Sequence, residues 1–531
     1  MKTYDNKAMA MILAVLFAGL HISFGADSSV VPKPAQLRPA EGSFVLSRDT
    51  IIVADDACAP LGGQLRELLA PATGYPLRVE TKSGTSPKNS ISLALDADLG
   101  EKGAEGYTLS VTEDGAAIRA ASRAGIFNGI QTLRQLLPAE IETKQALPDM
   151  KWEIPCLEIR DWPRLEWRGL MIDCSRTFWS KDYIKRIIRL MSIYKLNRLH
   201  LHLTDDQGWR LEIKKYPRLT EFGSRFHEKY NEPEERQGYY TQDDMREIIE
   251  YAQRHNVLVV PEIEMPGHTL AALLCYPELS CTGKPFDKIH PYMKESRDYR
   301  VHKDIFCAGN EQTFEFLENV LSEVAELFPS KFIHIGGDEA PKHRWKECPK
   351  CQARMAEEGL KTENQLQSYF IERIGKFLKS KGKVMIGWDE IRQGGLPAGA
   401  AVMSWHGTGP AVDAARKGHD AVMTPTSHCY FDYGYGRTPT MKVYSFNPVP
   451  ERLEEEHAKH ILGAQANLWT HRDRSEAKAD QKLFPRLLAM AEVTWSDASR
   501  DPDDFKKRVI SELKRLDLLG VNRFEDPSLA E

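Results

Sequence analysis

From residue 160 onward the chain repeats one pattern: a short run apolar on both alternations, a polar stretch, and usually a helical periodicity. The runs are RGLMIDCS, RLHLHLTDD, VLVVPEIEMPGH, FIHIGGDEA, KVMIGWDEI, AAVMSWHG, DAVMTPTSHCYFD and ILGAQANLW. Strands that are apolar on both sides must be covered on both sides, as in a parallel sheet wrapped by helices. Between the first two runs, DYIKRIIRLMSIY sets Ile184, Ile187, Ile188 and Met191 on one helical face. Eight such strands alternating with helices over residues 160–525 predict an α/β fold, a (β/α)8 TIM barrel. A doubly wound open sheet is the competitor. The absence of a glycine-rich phosphate turn counts against its common nucleotide-binding versions.

Residues 27–155 read differently. Short strand-like runs (SFVL, TIIVAD, SISLAL, YTLSVTEDGAAIRA) mix with the helical patterns LGGQLRELLA and AGIFNGIQTLRQLLP, which predicts a small α+β domain ahead of the barrel. No candidate chemistry falls in it, and packing against the barrel is its expected role. Before it, Lys2 and Lys7 precede the apolar run AMAMILAVLFAGL, and Gly25 and Ala26 follow. That resembles a signal peptide over residues 1–25, which predicts an exported protein, periplasmic or secreted. An uncleaved anchor is the alternative, but the run is short for a span. No later segment is apolar enough to cross a bilayer.

Composition narrows the picture further. At 531 residues, 42% hydrophobic and 28% charged, the chain has room for two globular domains. A formal net charge of −5 gives no basic footprint for nucleic acid. Nine cysteines is an odd number, so at least one is expected to be free or to pair between chains. Cys348 and Cys351 form a CxxC with no second CxxC and no histidine pair nearby, which falls short of a zinc site. A structural disulfide among Cys275, Cys281 and Cys307 is the expectation instead.

In a barrel of this type the active site lies at the C-terminal strand ends. Those ends carry Asp173 and Arg176; His200, His202, Asp205 and Asp206; Glu262, Glu264 and His268; Asp338 and Glu339; Trp388, Asp389 and Glu390; Trp405 and His406; Tyr430 and Asp432; Trp469 and His471. Singly, each could be a salt bridge or a packed ring. Together they converge on one cavity. Indole faces suit the C–H faces of a sugar ring, and carboxylates, an arginine and a tyrosine suit its hydroxyls. Glycoside cleavage usually places two carboxylates on opposite sides of the bond. Adjacent Asp338 and Glu339 cannot flank an anomeric carbon in that way, and are expected to point in different directions. That geometry suits a substrate that supplies its own nucleophile, a 2-acetamido oxygen.

The motifs HIGGDEA, HLHLTDDQGWRLEIKKYP, PEIEMPGH, GWDEI, SWHG and GAQANLW resemble those of the β-N-acetylhexosaminidases of glycoside hydrolase family 20 over nearly the whole chain past residue 26. The resemblance implies retaining exo-cleavage of terminal β-linked GlcNAc or GalNAc from glycans, with substrate assistance and with no metal or other cofactor. It implies Glu339 as general acid/base, Asp338 as orienter of the acetamido group, and Tyr430 as donor to the acetamido oxygen. Trp388, Trp405 and Trp469 would wall the pocket, Arg176 would hold the 3- and 4-hydroxyls, and Asp205 with His268 would tune Glu339. Asp432 is a further expected substrate contact. Burial and the Asp338 charge would raise the pKa of Glu339 towards the working pH.

Two positions depart from the family pattern. Thr177 stands where the family usually has histidine, and His471 where it usually has an acid that accepts bonds from the 4- and 6-hydroxyls. Two readings of His471 follow: a donor or cation that favours 6-sulfated GlcNAc, or a neutral ring that accepts through a nitrogen. Three rival functions remain. A metal-dependent barrel hydrolase has the His200-x-His202 spacing but not the later histidines and lysine. A non-catalytic sugar binder has no need of Glu339 beside Asp338. A chitinase-like barrel would carry a DxxDxDxE run, which is absent.

Overall fold

The computed structural model describes residues 29–81, 87–226, 232–286, 302–497 and 499–530. The predicted signal peptide lies outside them. Among the described residues no helix is long and apolar enough to cross a membrane.

The N-terminal unit is a mixed sheet in the order β1 (Gln36–Val45), β7 (Glu153–Asp161), β5 (Tyr107–Thr112), β6 (Gly115–Ala120), β4 (Ser90–Leu95), β2 (Ile51–Ala54), β3 (Val79–Thr81). Helices α1 (Ala59–Thr73) and α2 (Arg123–Leu136) pack on it. β7 pairs with β1 and β5 up to Arg160 and Asp161, so this sheet runs past the boundary expected at residue 155. Its core reaches into the barrel through Trp495, whose indole nitrogen donates to Asp161 at 2.9 Å. Asp161 also meets the buried Lys195 at 3.2 Å.

The described residues then close a parallel barrel of β8 (Trp167–Asp173), β9 (Arg198–His202), β10 (Leu258–Glu262), β11 (Phe332–His334), β12 (Val384–Trp388), β13 (Ala401–Ser404), β14 (Ala421–Met423) and β15 (Ile461–Leu468), the last pairing with the first. Each of the eight apolar runs supplies one strand. Trp167, Val260, Phe332, Ile386, Met403 and Val422 fill the interior. Helix α3 (Lys181–Ile193) starts at Ser180, whose hydroxyl accepts from the Tyr183 amide, and buries Ile184, Ile187, Ile188 and Met191. Each such side chain contributes roughly 1.5–3 kcal/mol. Between β12 and β13 the described residues carry only the short turn Asp389–Arg392 in place of a helix. The three glycines and the proline of QGGLPAGA explain the interruption.

Candidate active site

β11 ends at His334, and the chain continues through Ile335, Gly336 and Gly337 to Asp338 and Glu339. Gly336 has φ +66°, and a Cβ there would lie 1.7 Å from Glu264 Oε2. Only glycine lets this loop press onto the segment after β10. Glu339 takes φ +43°, a left-handed conformation rare for a glutamate. This turn, not strand pleating, separates the adjacent carboxylates. Asp338 is buried, and its Oδ1 has no hydrogen-bond partner among the described residues. The Glu339 side chain is about half exposed.

Their electrostatics differ accordingly. Burial raises the Asp338 carboxyl to about 6, with the charges of Glu262 and Glu339 adding and His268 opposing. Glu339 is held below its ordinary value, chiefly by His268. The expectation that Glu339 would be raised is therefore corrected for the unliganded site. The reason is His268: its Nε2 stands 3.6 Å from Glu339 Oε2 and 3.7 Å from Asp338 Oδ2. Burial alone would make that imidazole neutral. Asp205, whose Oδ1 lies 3.1 Å from His268 Nδ1, outweighs burial and keeps it cationic.

Beneath the pair lies an ionic floor. His202 sits between Glu262 Oε2 (2.6 Å from Nδ1) and Asp205 Oδ2 (2.9 Å from Nε2). Glu262 also meets His200 at 2.9 Å and His334 at 2.8 Å, and accepts from the Trp388 indole at 2.7 Å. His200 and His202 thus both serve this carboxylate, which accounts for the alternate spacing that suggested metal ligands. Glu264 is buried with neither oxygen bonded among the described residues. Burial and the charges of Asp338, Glu262 and Asp205 hold it well above the ordinary range. Arg176 is gripped by Asp205 at 2.6 Å, Asp173 at 3.5 Å and the Gln207 side-chain oxygen at 2.8 Å, over the Trp469 ring.

Aromatic rings form the wall. Trp405 and Tyr430 lie nearly parallel with centroids 6.3 Å apart, Tyr430 and Trp469 are 6.4 Å apart, and Trp469 and Trp388 are 5.9 Å apart. Tyr430 is placed by a bridge between its loop and Asn467 of β15. Trp405 is set by Glu390, which accepts from its indole at 2.9 Å, and by Asp389, which accepts from its amide. Trp405 and Trp469 keep exposed surface, whereas Trp388 is almost wholly covered. Of the expected indole walls, Trp388 is the one that His334, Trp469 and the Glu262 bond hold furthest inside.

The chain also matches known proteins. The model of the family "Glycosyl hydrolase family 20, catalytic domain" matches residues 165–498, and that of its domain 2 matches residues 27–162. This chain belongs to glycosyl hydrolase family 20. A β-hexosaminidase of Porphyromonas gingivalis is 42% identical over 509 residues, covering 93% of this chain and 64% of that protein. The present chain therefore spans just under two thirds of that relative. Among solved structures, the GH20 β-N-acetylhexosaminidase of Streptomyces coelicolor superposes with a TM-score of 0.82 at 34% identity, covering 94% of this chain and 98% of the other. A variant β-hexosaminidase of Streptomyces plicatus in complex with product GlcNAc matches with TM-score 0.82 at 32% identity, over 95% and 98% of the two chains.

Within family 20 the two departures of this chain form one local arrangement. The buried Thr177 donates its hydroxyl to the Thr470 carbonyl at 3.0 Å and accepts from Arg474 Nε at 3.1 Å. Arg474 also donates to the Arg176 carbonyl at 3.0 Å and pairs with Glu232 at 2.7 Å. His471 is half-buried, and burial together with the Arg176 charge lowers it to about 4. Near neutral pH it is an uncharged ring, so the cationic reading of this position fails in the unliganded site. Asp432 is raised to about 6 by burial, with Oδ1 unbonded among the described residues. Glu262, Glu264, His202 and Glu390 are among the strand-end groups that the sequence directs to one cavity, but neither the pattern nor the resemblance gives them individual roles. The alternation in HLH and EIE, which aims both members of each pair inward, was the available signal.

Proposed function

We propose that this family-20 glycoside hydrolase is a retaining exo-β-N-acetylhexosaminidase that removes terminal β-linked GlcNAc or GalNAc, with the substrate's acetamido oxygen as nucleophile. The observation that carries this reading is the split of one adjacent carboxylate pair between two environments. Buried Asp338, in its ionised form, would accept from the acetamido N–H and stabilise the oxazolinium cation as it forms. Exposed Glu339, in its protonated form, would protonate the departing oxygen, then as carboxylate take a proton from the water that opens the oxazolinium. Tyr430 would donate to the acetamido oxygen, and Trp405, Trp469 and the edge of Trp388 would enclose the methyl group and ring face. Arg176 would hold outer hydroxyls while Asp205 and His268 set the charge around Glu339. The names of the hexosaminidase relatives support the substrate class.

A panel of aryl β-glycosides tests the proposal. GlcNAc or GalNAc glycosides should turn over with the first product formed as the β-anomer, and the glucoside should be nearly inert. Comparable turnover of glucoside, or an α-anomer as first product, would refute substrate assistance. Loss of activity with a chelator at an unchanged melting temperature would revive the metal-dependent reading.

The sequence also raised 6-sulfated GlcNAc. Neutral His471, and Arg474 paired with Glu232, favour the unmodified sugar. A higher kcat/KM on the 6-sulfo glycoside than on the plain one would overturn that preference. The basic, apolar N-terminus supports action outside the cytoplasm, which cell fractionation tests.

A further inference from the structure

Among the described residues no two cysteines are joined, and the disulfide expected among Cys275, Cys281 and Cys307 does not form. Cys275 turns away, its thiol donating to the Arg218 carbonyl at 3.1 Å. Cys281 and Cys307 instead meet both cysteines of the CxxC. Cys281 and Cys351 lie 3.8 Å apart, Cys351 and Cys307 3.6 Å, and Cys307 and Cys348 3.8 Å, with all four sulfurs within 4.8 Å of one another. The contacts form a chain, not two isolated couples. Four thiolates around one zinc ion, each at about 2.3 Å, stand about 3.8 Å from one another. We propose that Cys281, Cys307, Cys348 and Cys351 bind one structural zinc ion in a tetrahedral tetrathiolate site.

The surroundings suit that occupant. Three of the sulfurs are on buried residues, and the site is closed, as a structural zinc site must be. Cys348 directly precedes the helix Pro349–Glu357, which carries Cys351 in its first turn. The Gly309 amide points to the Cys307 sulfur. A Cβ on Gly309 would lie 2.2 Å from the Lys350 carbonyl, so only glycine permits this close approach to the CxxC backbone.

The ion would join two loops of the active site. Cys281 and Cys307 belong to the loop after β10, downstream of His268, and Cys348 and Cys351 to the loop after β11, downstream of Glu339. Between them the Trp345 indole donates to the Phe306 carbonyl at 2.9 Å and Arg344 pairs with Asp304 at 2.6 Å. The His302 amide reaches Asp206, beside Asp205, at 3.1 Å. The zinc would act as a clip that fixes the loops bearing His268 and Glu339, and would take no part in the chemistry.

The test uses the full chain purified without a metal-binding tag and without added zinc. Elemental analysis should give about one zinc per chain, and X-ray absorption at the zinc edge should show four sulfur neighbours near 2.3 Å. Thiol alkylation in denaturant with chelator and no reductant should modify all 9 cysteines. The double variant Cys348→Ser/Cys351→Ser should hold less than about a tenth of the zinc and melt roughly 5 °C lower or more. Absence of zinc, nitrogen or oxygen neighbours at the metal edge, or four fewer alkylated cysteines would overturn the proposal. The absorption and alkylation measurements use the native sequence, so they decide the matter even if the variant fails to fold.

Discussion

The opposed charge states of Asp338 and Glu339 predict that the pH dependence of kcat/KM reverses sign with the leaving group. The proposed reacting form has Asp338 ionised and Glu339 protonated. In the unliganded site Asp338 is raised to about 6 and Glu339 is held below its ordinary value, so that form is a minority at every pH. With a 2,4-dinitrophenyl leaving group, which departs without a proton, only the ionisation of Asp338 matters. The ionised fraction is then roughly one tenth at pH 5 and nine tenths at pH 7, so kcat/KM should rise about tenfold between them. With an unactivated phenyl or alkyl leaving group, Glu339 must also carry its proton. Because Glu339 is held below its ordinary value, its protonated fraction drops from pH 5 to pH 7 by more than the ionised fraction of Asp338 rises, so kcat/KM should fall over that interval. Initial rates at substrate concentrations far below KM, for both N-acetylglucosaminides on one enzyme preparation, give the comparison directly. Profiles of the same sign for the two substrates, or a flat profile with the dinitrophenyl glycoside, would refute the assignment.

Three further outcomes are expected. Glu339→Gln should lower kcat/KM on unactivated glycosides by roughly 10²–10⁴ and far less on the dinitrophenyl glycoside, and equal losses would deny Glu339 the role of proton donor. Gly336→Ala forces a Cβ to within 1.7 Å of Glu264 at a left-handed φ, which should cost at least about 2 kcal/mol; an unchanged denaturation midpoint would contradict the packing described. Burial would lower the pKa of His202, but Glu262 and Asp205 hold it up to about 9, above its unfolded value near 6.5. Its protonation should contribute on the order of 3 kcal/mol of stability that is complete below pH 6.5 and lost as pH rises through about 9. His202→Gln should flatten that loss in urea titrations at several pH values.

The barrel was legible because its strands are covered on both sides, which leaves apolar runs that no amphipathic helix produces. The strand ends were legible for the same reason: a polar residue directly after such a run has only the barrel mouth to enter. What the sequence hid depends on neighbours brought together from different strands. Local reading sees Asp338 beside Glu339 and expects a raised acid, yet His268 arrives from the loop after β10 and reverses the sign. Trp388 ends its strand and Trp405 follows its own by one residue, but the Trp388 indole is claimed by Glu262 of β10, two strands away. The four clustered cysteines come from two loops, so only one CxxC is visible as a motif, and 25 residues separate the other two.

The charge balance of the floor connects these details to catalysis. Asp173, Asp205, Asp206, Glu262, Glu264, Asp338 and Glu390 crowd a region whose cations are Arg176, His202 and His268. Acids outnumber bases, and burial makes ionising all of them too costly. The surplus is met by raising carboxyls for which burial outweighs the neighbouring cations: Glu264, Glu390 at about 8, and Asp338, at about 6 even with His268 3.7 Å away. Asp205 and Glu262, in contact with arginine or histidine, stay ionised. Even with His268 beside Asp338, the site holds fewer cations than acids and is short of positive charge there. An oxazolinium ring would supply it there, since a cation next to Asp338 favours the carboxylate that its neighbours otherwise disfavour. The field that raises Asp338 in the empty site is therefore the field that would stabilise a cationic transition state, fixed in place before the substrate arrives.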